Sequence, residues 1–390
     1  MSDLTSEVAK SGTRRRESRS TRAAMGSLPP QREVISKIPK DCFNISLLRS
    51  STYLFISVGL TLGLGVLSYW FIPMTVSWLP VWIAYAIVTG TVATGCWVIA
   101  HECGHGAFAR QKWIQDTVGF VLHSALLVPY FSWQRSHAVH HSKTNHLDEG
   151  ETFVPLRQTT KVGKAMSNFE KFLGDDAFAI FSMLSKFLVG WPLYLLTGLS
   201  GGPKRGKTNH FWPLKPFSTS LFPRRMHTKM WVSDLGVVGV LCGLVYWAYA
   251  AGSVIPVLAL YVGPYLVVNF WLILYTWLQH TDVDIPHFDE NEWSWTLGAF
   301  STVDRPYGLL LNLLHHDIGS THVAHHINSR IPHYHARRAT DALKAAYPSL
   351  YKYDPTPIPK ALWRIAKGCN VVYKASTGWK YQPTDEDMKM

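Results

Sequence analysis

The chain has 390 residues, 47% of them apolar and only 16% charged, with a formal net charge of +12. A soluble domain carries about a quarter charged residues, so a wholly water-exposed globule is excluded. The basic residues flank long uncharged runs, which is the pattern of cytoplasmic Lys and Arg beside membrane spans and not that of a nucleic-acid binder. Five cysteines (Cys42, Cys96, Cys103, Cys242, Cys369) without a CxxC pair exclude a disulfide framework and fit a reducing compartment.

Residues 1–45 are polar, rich in Ser and Arg, and expected to be disordered; no apolar signal segment interrupts them. Lys and Arg are then absent from Ser51 through Ala109, and again from Trp231 through Asp304. Spanning a bilayer takes roughly 20 apolar helical residues. Four stretches qualify, at about 51–72, 79–100, 232–250 and 254–278. They form two pairs joined by the short uncharged connections Pro73–Trp78 and Ala251–Ser253. Ten Lys or Arg lie in residues 1–50 and many more in 110–230 and 305–390. The positive-inside rule therefore puts both termini and the middle segment in the cytoplasm. Residues 117–131 are too short to span. Residues 177–199 are long enough, but Lys186 and Pro192 interrupt them. Both are expected to be interfacial or re-entrant, because a single crossing would separate the histidines before it from those after it. The expected fold is an all-α membrane protein. Its four transmembrane helices form two hairpins, with interfacial helices and a cytosolic helical cap over residues 46–380, and a tail at 381–390.

All 18 histidines follow residue 100. Three clusters stand out: His101-x-x-x-His105, His137-x-x-His140-His141 and His322-x-x-His325-His326. On a helix, residues three or four apart share a face. His101 and His105 can therefore meet one ion. In HxxHH the last two imidazoles diverge by about 100°, so one short motif can serve two ions. Eight neutral imidazoles are too many for one ion and suit two of Fe, Zn, Cu or Ni. Two rivals stay open. His101-Glu102-x-x-His105 also reads as a zinc-protease HExxH, with one further ligand required. A zinc transporter is the other, although transporters place their ligands near the membrane midplane.

The three clusters, their order and their placement around two apolar pairs resemble the integral-membrane fatty acyl desaturase family over about residues 45–375. The stretches SWQRSHAVHHSKTNH (132–146), GGPKRGKTNHF (201–211), TWLQHTDVDIPHF (276–288), TVDRPYG (302–308) and THVAHHINSRIPHY (321–334) are most like its methyl-end branch, the oleate Δ12 (ω-6) desaturases. The resemblance implies an O2-dependent enzyme with two Fe that puts a cis double bond at Δ12 of an oleoyl chain in a phospholipid. His322 heads the third cluster where carboxyl-side desaturases have Gln, and no HPGG haem motif occurs. That implies a separate electron donor, cytochrome b5 with its NADH-dependent reductase. The implied location is the endoplasmic reticulum, with the plastid envelope less favoured. Glu102 in the first cluster points to Δ12, while Gly106 and His315–Gly319 have some ω-3 character. An ω-3 (Δ15) desaturase and a related di-iron hydroxylase or epoxygenase remain alternatives.

The resemblance also implies a ninth ligand, His280, just past the fourth span. Some relatives add an Asn four residues earlier, where this chain has Thr276. Glu102, Asp148, Glu149 and Asp317 are candidates to orient imidazole N–H groups, with His316 in reserve. His123, His210, His227, His287, His333 and His335 are expected to be structural or at the surface. The basic patch Lys204-Arg205-Gly-Lys207 could receive an acidic electron carrier or anionic headgroups, or be simply solvated.

Overall fold

The computed structural model describes residues 28–382. The remainder of the two expected end segments, 1–27 and 383–390, lies outside the described residues. Residues 28–45 are not loose, contrary to expectation. Helix α1 (Gln31–Ser36) and a 3₁₀ turn (Lys40–Phe43) bury Val34, Ile38 and Cys42 against Val323, Ala324 and Ile327 of the third histidine cluster. These three apolar residues recur every fourth position, a one-sided stripe masked by its basic surroundings.

The first hairpin follows. Ser46 caps α2 (Leu47–Phe71) by accepting from the Arg49 amide at 3.3 Å. Pro80 opens α3 (Leu79–His105) within its first turn, and Gly106 closes it at φ 77°, one residue past His105. Helices α4 (Lys112–Ala125) and α5 (Tyr130–Ser142) come next, then α6 (Lys161–Leu173), α7 (Asp175–Ser185) and α8 (Trp191–Thr197). The second hairpin pairs α9 (His227–Ala250) with a helix that enters through a π-helical turn, Leu258–Val262, and continues as α10 (Gly263–His280). Five shorter helices complete the cap: α11 (Trp295–Phe300), α12 (Gly308–Leu314), α13 (His322–Ile327), α14 (His333–Ala346) and α15 (Ile358–Gly368).

Helices α3 and α10 lie at the centre. A Cβ on Gly90 would stand 2.5 Å from the Pro264 carbonyl oxygen, so only glycine permits this approach of the two backbones. His315, just past α12, ties the same pair, accepting from Tyr275 Oη at 2.7 Å while its Nε2 meets the Thr91 carbonyl at 2.7 Å.

Among the described residues, five helical stretches are long and apolar enough to cross a membrane, one more than the four expected spans. The additional one is Asp175–Thr197, the stretch expected to be interfacial. Both its ends are tied to segments outside the long apolar helices. Asp176 pairs with Lys367 of α15 at 3.0 Å. Past its other end, His210 N–H donates to Leu195 O at 2.8 Å and Gly202 N–H to Gly150 O at 2.9 Å. A small sheet is added to the otherwise helical fold. β1 (Leu156–Arg157) runs parallel to β2 (Val371–Lys374), and β2 pairs antiparallel with β3 (Trp379–Tyr381). It pins residues 371–381 to the loop after the second cluster.

Candidate metal centre

The nine expected ligands converge. His101 and His105 end α3, His280 ends α10, the second cluster lies on α5 and the third on α13. One group gathers His101, His105, His137, His141 and His325, with their ligand nitrogens all within 4.8 Å of one another. A second gathers His140, His280 and His326 in the same way. His322 joins it, its Nε2 2.9 Å from that of His280. Each HxxHH motif thus divides between the groups as helical geometry requires. His137 and His141 face one side and His140 the other; His325 faces one side, and His322 and His326 the other. The rings of His141 and His326 stack 4.1 Å apart where the groups adjoin.

The geometry suits cations. A neutral imidazole has one N–H and one lone pair. The Nε2 atoms of His101 and His105 stand 3.2 Å apart, those of His137 and His141 also 3.2 Å, and those of His140 and His280 3.1 Å. At such separations two lone pairs repel, and one proton satisfies only one pair. The Nε2 atoms of His325 and His326 are buried without any hydrogen-bond partner. Burial, then the neighbouring imidazoles, hold His137, His141, His322 and His326 well below the usual imidazole range. Burial likewise takes His140 down to about 4 and, with His140 beside it, His325 to about 3. All six are therefore neutral and free to donate lone pairs at pH 7.

None of the five proposed orienting groups takes up that role. Glu102 turns from the cluster and accepts from the His333 amide at 2.9 Å. Asp148 pairs with Arg157 at 2.9 Å, Glu149 with Lys143 at 2.5 Å, and Asp317 with Arg337. His316 sits 3.1 Å from Ser57 Oγ on α2, after a turn in which His316 and Asp317 both have left-handed φ. Thr276 donates to its own helix at Leu272 O, 2.7 Å away. The basic patch is largely occupied within the protein. Lys204 pairs with Glu149 and Glu290, and Arg205 donates to the Glu149 carbonyl at 2.7 Å. Of the histidines expected to be structural or exposed, His123, His210 and His287 are fully buried.

The supports lie elsewhere. Thr144 Oγ1 is 3.0 Å from His326 Nδ1 and turns Nε2 of that ring inward. Asp304 accepts from the Val323 amide at 3.0 Å, fixing the start of α13. The fully buried Arg305 donates to Leu278 O at 3.1 Å and to Asp282 at 2.6 Å, and also pairs with Asp354. Arg364 bridges the same two carboxylates at 2.7 and 2.8 Å. This charged buckle ties the end of α10, with His280, to the third cluster. A signal was present in the sequence: Asp304-Arg305 breaks the second long run without a basic residue.

An apolar cavity of about 430 Å³ reaches the centre. Its lining runs from His137 and His140, past Trp97, Trp133 and Trp277, to the exposed Leu199. The size is that of a small-molecule site.

Fold and site together define a membrane protein with two adjoining all-imidazole clusters, able to hold metal, at the end of an apolar cavity. The fatty acid desaturase family model matches residues 76–356, and the chain belongs to that family. It is 43% identical over 335 residues to a Δ12 fatty acid desaturase of Vernicia fordii, covering 85% of this chain and 84% of the relative. The Arabidopsis thaliana Δ12 fatty acid desaturase is 42% identical over 335 residues, covering 85% and 84%. An omega-6 fatty acid desaturase of Glycine max, described as an endoplasmic reticulum isozyme, is 41% identical over 334 residues, covering 85% and 83%.

Proposed function

We propose that this chain is an O2-dependent oxidoreductase that introduces a cis double bond at Δ12 of an oleoyl chain in a membrane lipid, giving a linoleoyl chain. The observation that carries the reading is the apolar cavity ending on His137 and His140, one from each imidazole group. The Δ12 names of its relatives support the position of the bond.

His101, His105, His137, His141 and His325 would hold one iron, and His140, His280, His322 and His326 the other. Bound iron supplies the dioxygen chemistry that breaking unactivated C–H bonds requires, since no side-chain base can remove such a hydrogen. The acyl chain gives up two hydrogens, a separate donor gives two electrons, and with two protons from solvent one O2 leaves as two waters. The protein's part is binding and exclusion. Trp97, Trp133 and Trp277 wall the cavity and keep water from the reacting carbons. The buckle of Asp282, Asp304 and Arg305 holds His280 and the third cluster in register.

The donor is cytochrome b5 with its NADH-dependent reductase, and the site faces the cytosol from the endoplasmic reticulum membrane. The gathering of Lys and Arg outside the spans supports that side. The zinc-protease reading needs one ion and leaves the second all-imidazole group without a role. Expression in a yeast that makes only monounsaturated fatty acids tests the proposal. New 18:2 Δ9,12 is expected, with two irons per purified chain. Desaturation only of supplied 18:2, hydroxy-fatty acid as the product, or a single bound zinc would each overturn it.

A further inference from the structure

The helix Asp175–Thr197 places a lysine in the wall of the apolar cavity. Its α-helical course changes to a π-helical turn at Lys186–Gly190, and such widened turns are frequent at functional sites. Lys186 lines the same cavity as His137 and His140. Its ammonium stands 4.1 Å from the centre of the Trp277 ring and donates to Ser182 Oγ. Among the described residues it forms no ion pair with a carboxylate. An ammonium has three N–H donors, so one hydroxyl and one ring face leave it with unused capacity.

A cation in an apolar wall is costly unless an anion or strong acceptor meets it. The surroundings suit such a partner. Ser185 and Asn370 join Ser182 in lining the cavity, whereas Trp97 and Trp133 wall it beside the histidines. Trp277 precedes His280 by three residues, about 4.5 Å along α10. One tryptophan therefore separates the ammonium from the helical turn that delivers an imidazole to the centre. An acyl chain crossing this cavity has one polar end, and Lys186 is the cation that lines its path.

We propose that Lys186, assisted by Ser182, binds an anionic oxygen at the head end of the acyl substrate and so fixes which carbons reach the imidazole groups. This rests on the acyl-chain reading of the cavity. The anionic oxygen is the phosphate of a phospholipid or the carboxylate of a free fatty acid, and the two are separable by experiment. Ser182 supports the ammonium, and Trp277 covers its inner side.

The test is lipid retention by the purified, metal-loaded protein, read by native mass spectrometry. The probes are dioleoyl phosphatidylcholine, oleate and the neutral dioleoylglycerol. The unaltered protein is expected to retain phosphatidylcholine or oleate at least fivefold over dioleoylglycerol, and whichever it favours identifies the anion. Lys186→Met should erase that preference with iron content unchanged, and Lys186→Arg should keep it. In the yeast assay, Lys186→Met should lower 18:2 several-fold and spread the double bond to neighbouring positions. Equal retention of dioleoylglycerol and of the two probes that carry an anionic oxygen, or an unchanged preference and unchanged product in Lys186→Met, would overturn the assignment. A failure of the unaltered protein to make 18:2 would instead count against the Δ12 reading and leave the retention result standing.

Discussion

The two helices of the first hairpin are alike in composition and opposite in surroundings. Within its most apolar window, 6% of the residues of Leu47–Phe71 are buried in the protein, whereas in Val76–His105 67% are. The second hairpin repeats the contrast, with Arg224–Ala250 at 17% and Ile255–His280 at 39%. In each pair the inner helix ends in histidines and the outer one does not. The inner helices deliver His101, His105 and His280 at their C-terminal ends, where the helix dipole is negative and favours a cation. The outer helices present apolar side chains outward, as a lipid-facing surface requires. Hydropathy alone marks all four as spans; packing decides which of them build the centre.

The contrast can be broken at the centre first. His325→Ala should abolish 18:2 formation in the yeast assay while protein abundance stays within about twofold. Retained activity would remove His325 from the ligand set. Next in size is the buckle. Arg305→Ala leaves the buried Asp282 and the half-buried Asp354 with Arg364 as their remaining cation, and removing one partner of a buried pair typically costs about 3–5 kcal/mol. The purified protein should lose iron and melt well below the unaltered chain. Smaller again is a matched pair in the spans. Gly90→Leu forces a side chain into the Pro264 backbone and Val267, an overpacking of about 1–3 kcal/mol. A Cβ on Gly59 of the outer helix meets nothing within 4 Å, so Gly59→Leu should leave the melting temperature unchanged. Equal effects of the two substitutions would erase the distinction between inner and outer helices.

The smallest effect is one of pH. Burial pushes the Glu151 carboxyl up to about 8, although Tyr194 Oη donates to it at 3.0 Å. The folded state thus keeps a proton that the unfolded chain releases near the ordinary glutamate range. Its stability must fall as pH rises from that range to about 8 and level off above it. Glu151→Gln keeps an acceptor for Tyr194 and carries no charge. Its melting temperature should decline less between pH 6 and 8.5 than that of the unaltered protein, measured by thermal unfolding in detergent.

Much of the site was legible because its chemistry is local. His137, His140 and His141 face as they do because a helix turns 100° per residue, and that holds in any fold that keeps them helical. Asp304 and Arg305 escaped notice because their partners, Val323, Asp282 and Asp354, are distant in sequence. Glu102 was misassigned for the same reason: adjacency to His101 along the chain says nothing about the His333 amide that claims its carboxylate.

The sequence by itself determined four apolar spans, three histidine clusters and the divergence within each HxxHH that lets it face two groups, because helix length and periodicity are properties of short segments. Tertiary structure alone decided that α3 and α10 form the interior, that residues 28–45 close over the third cluster, and that Lys186 borders the cavity. Those outcomes depend on which apolar faces meet, and such faces are chemically interchangeable until close packing, as at Gly90, selects one arrangement.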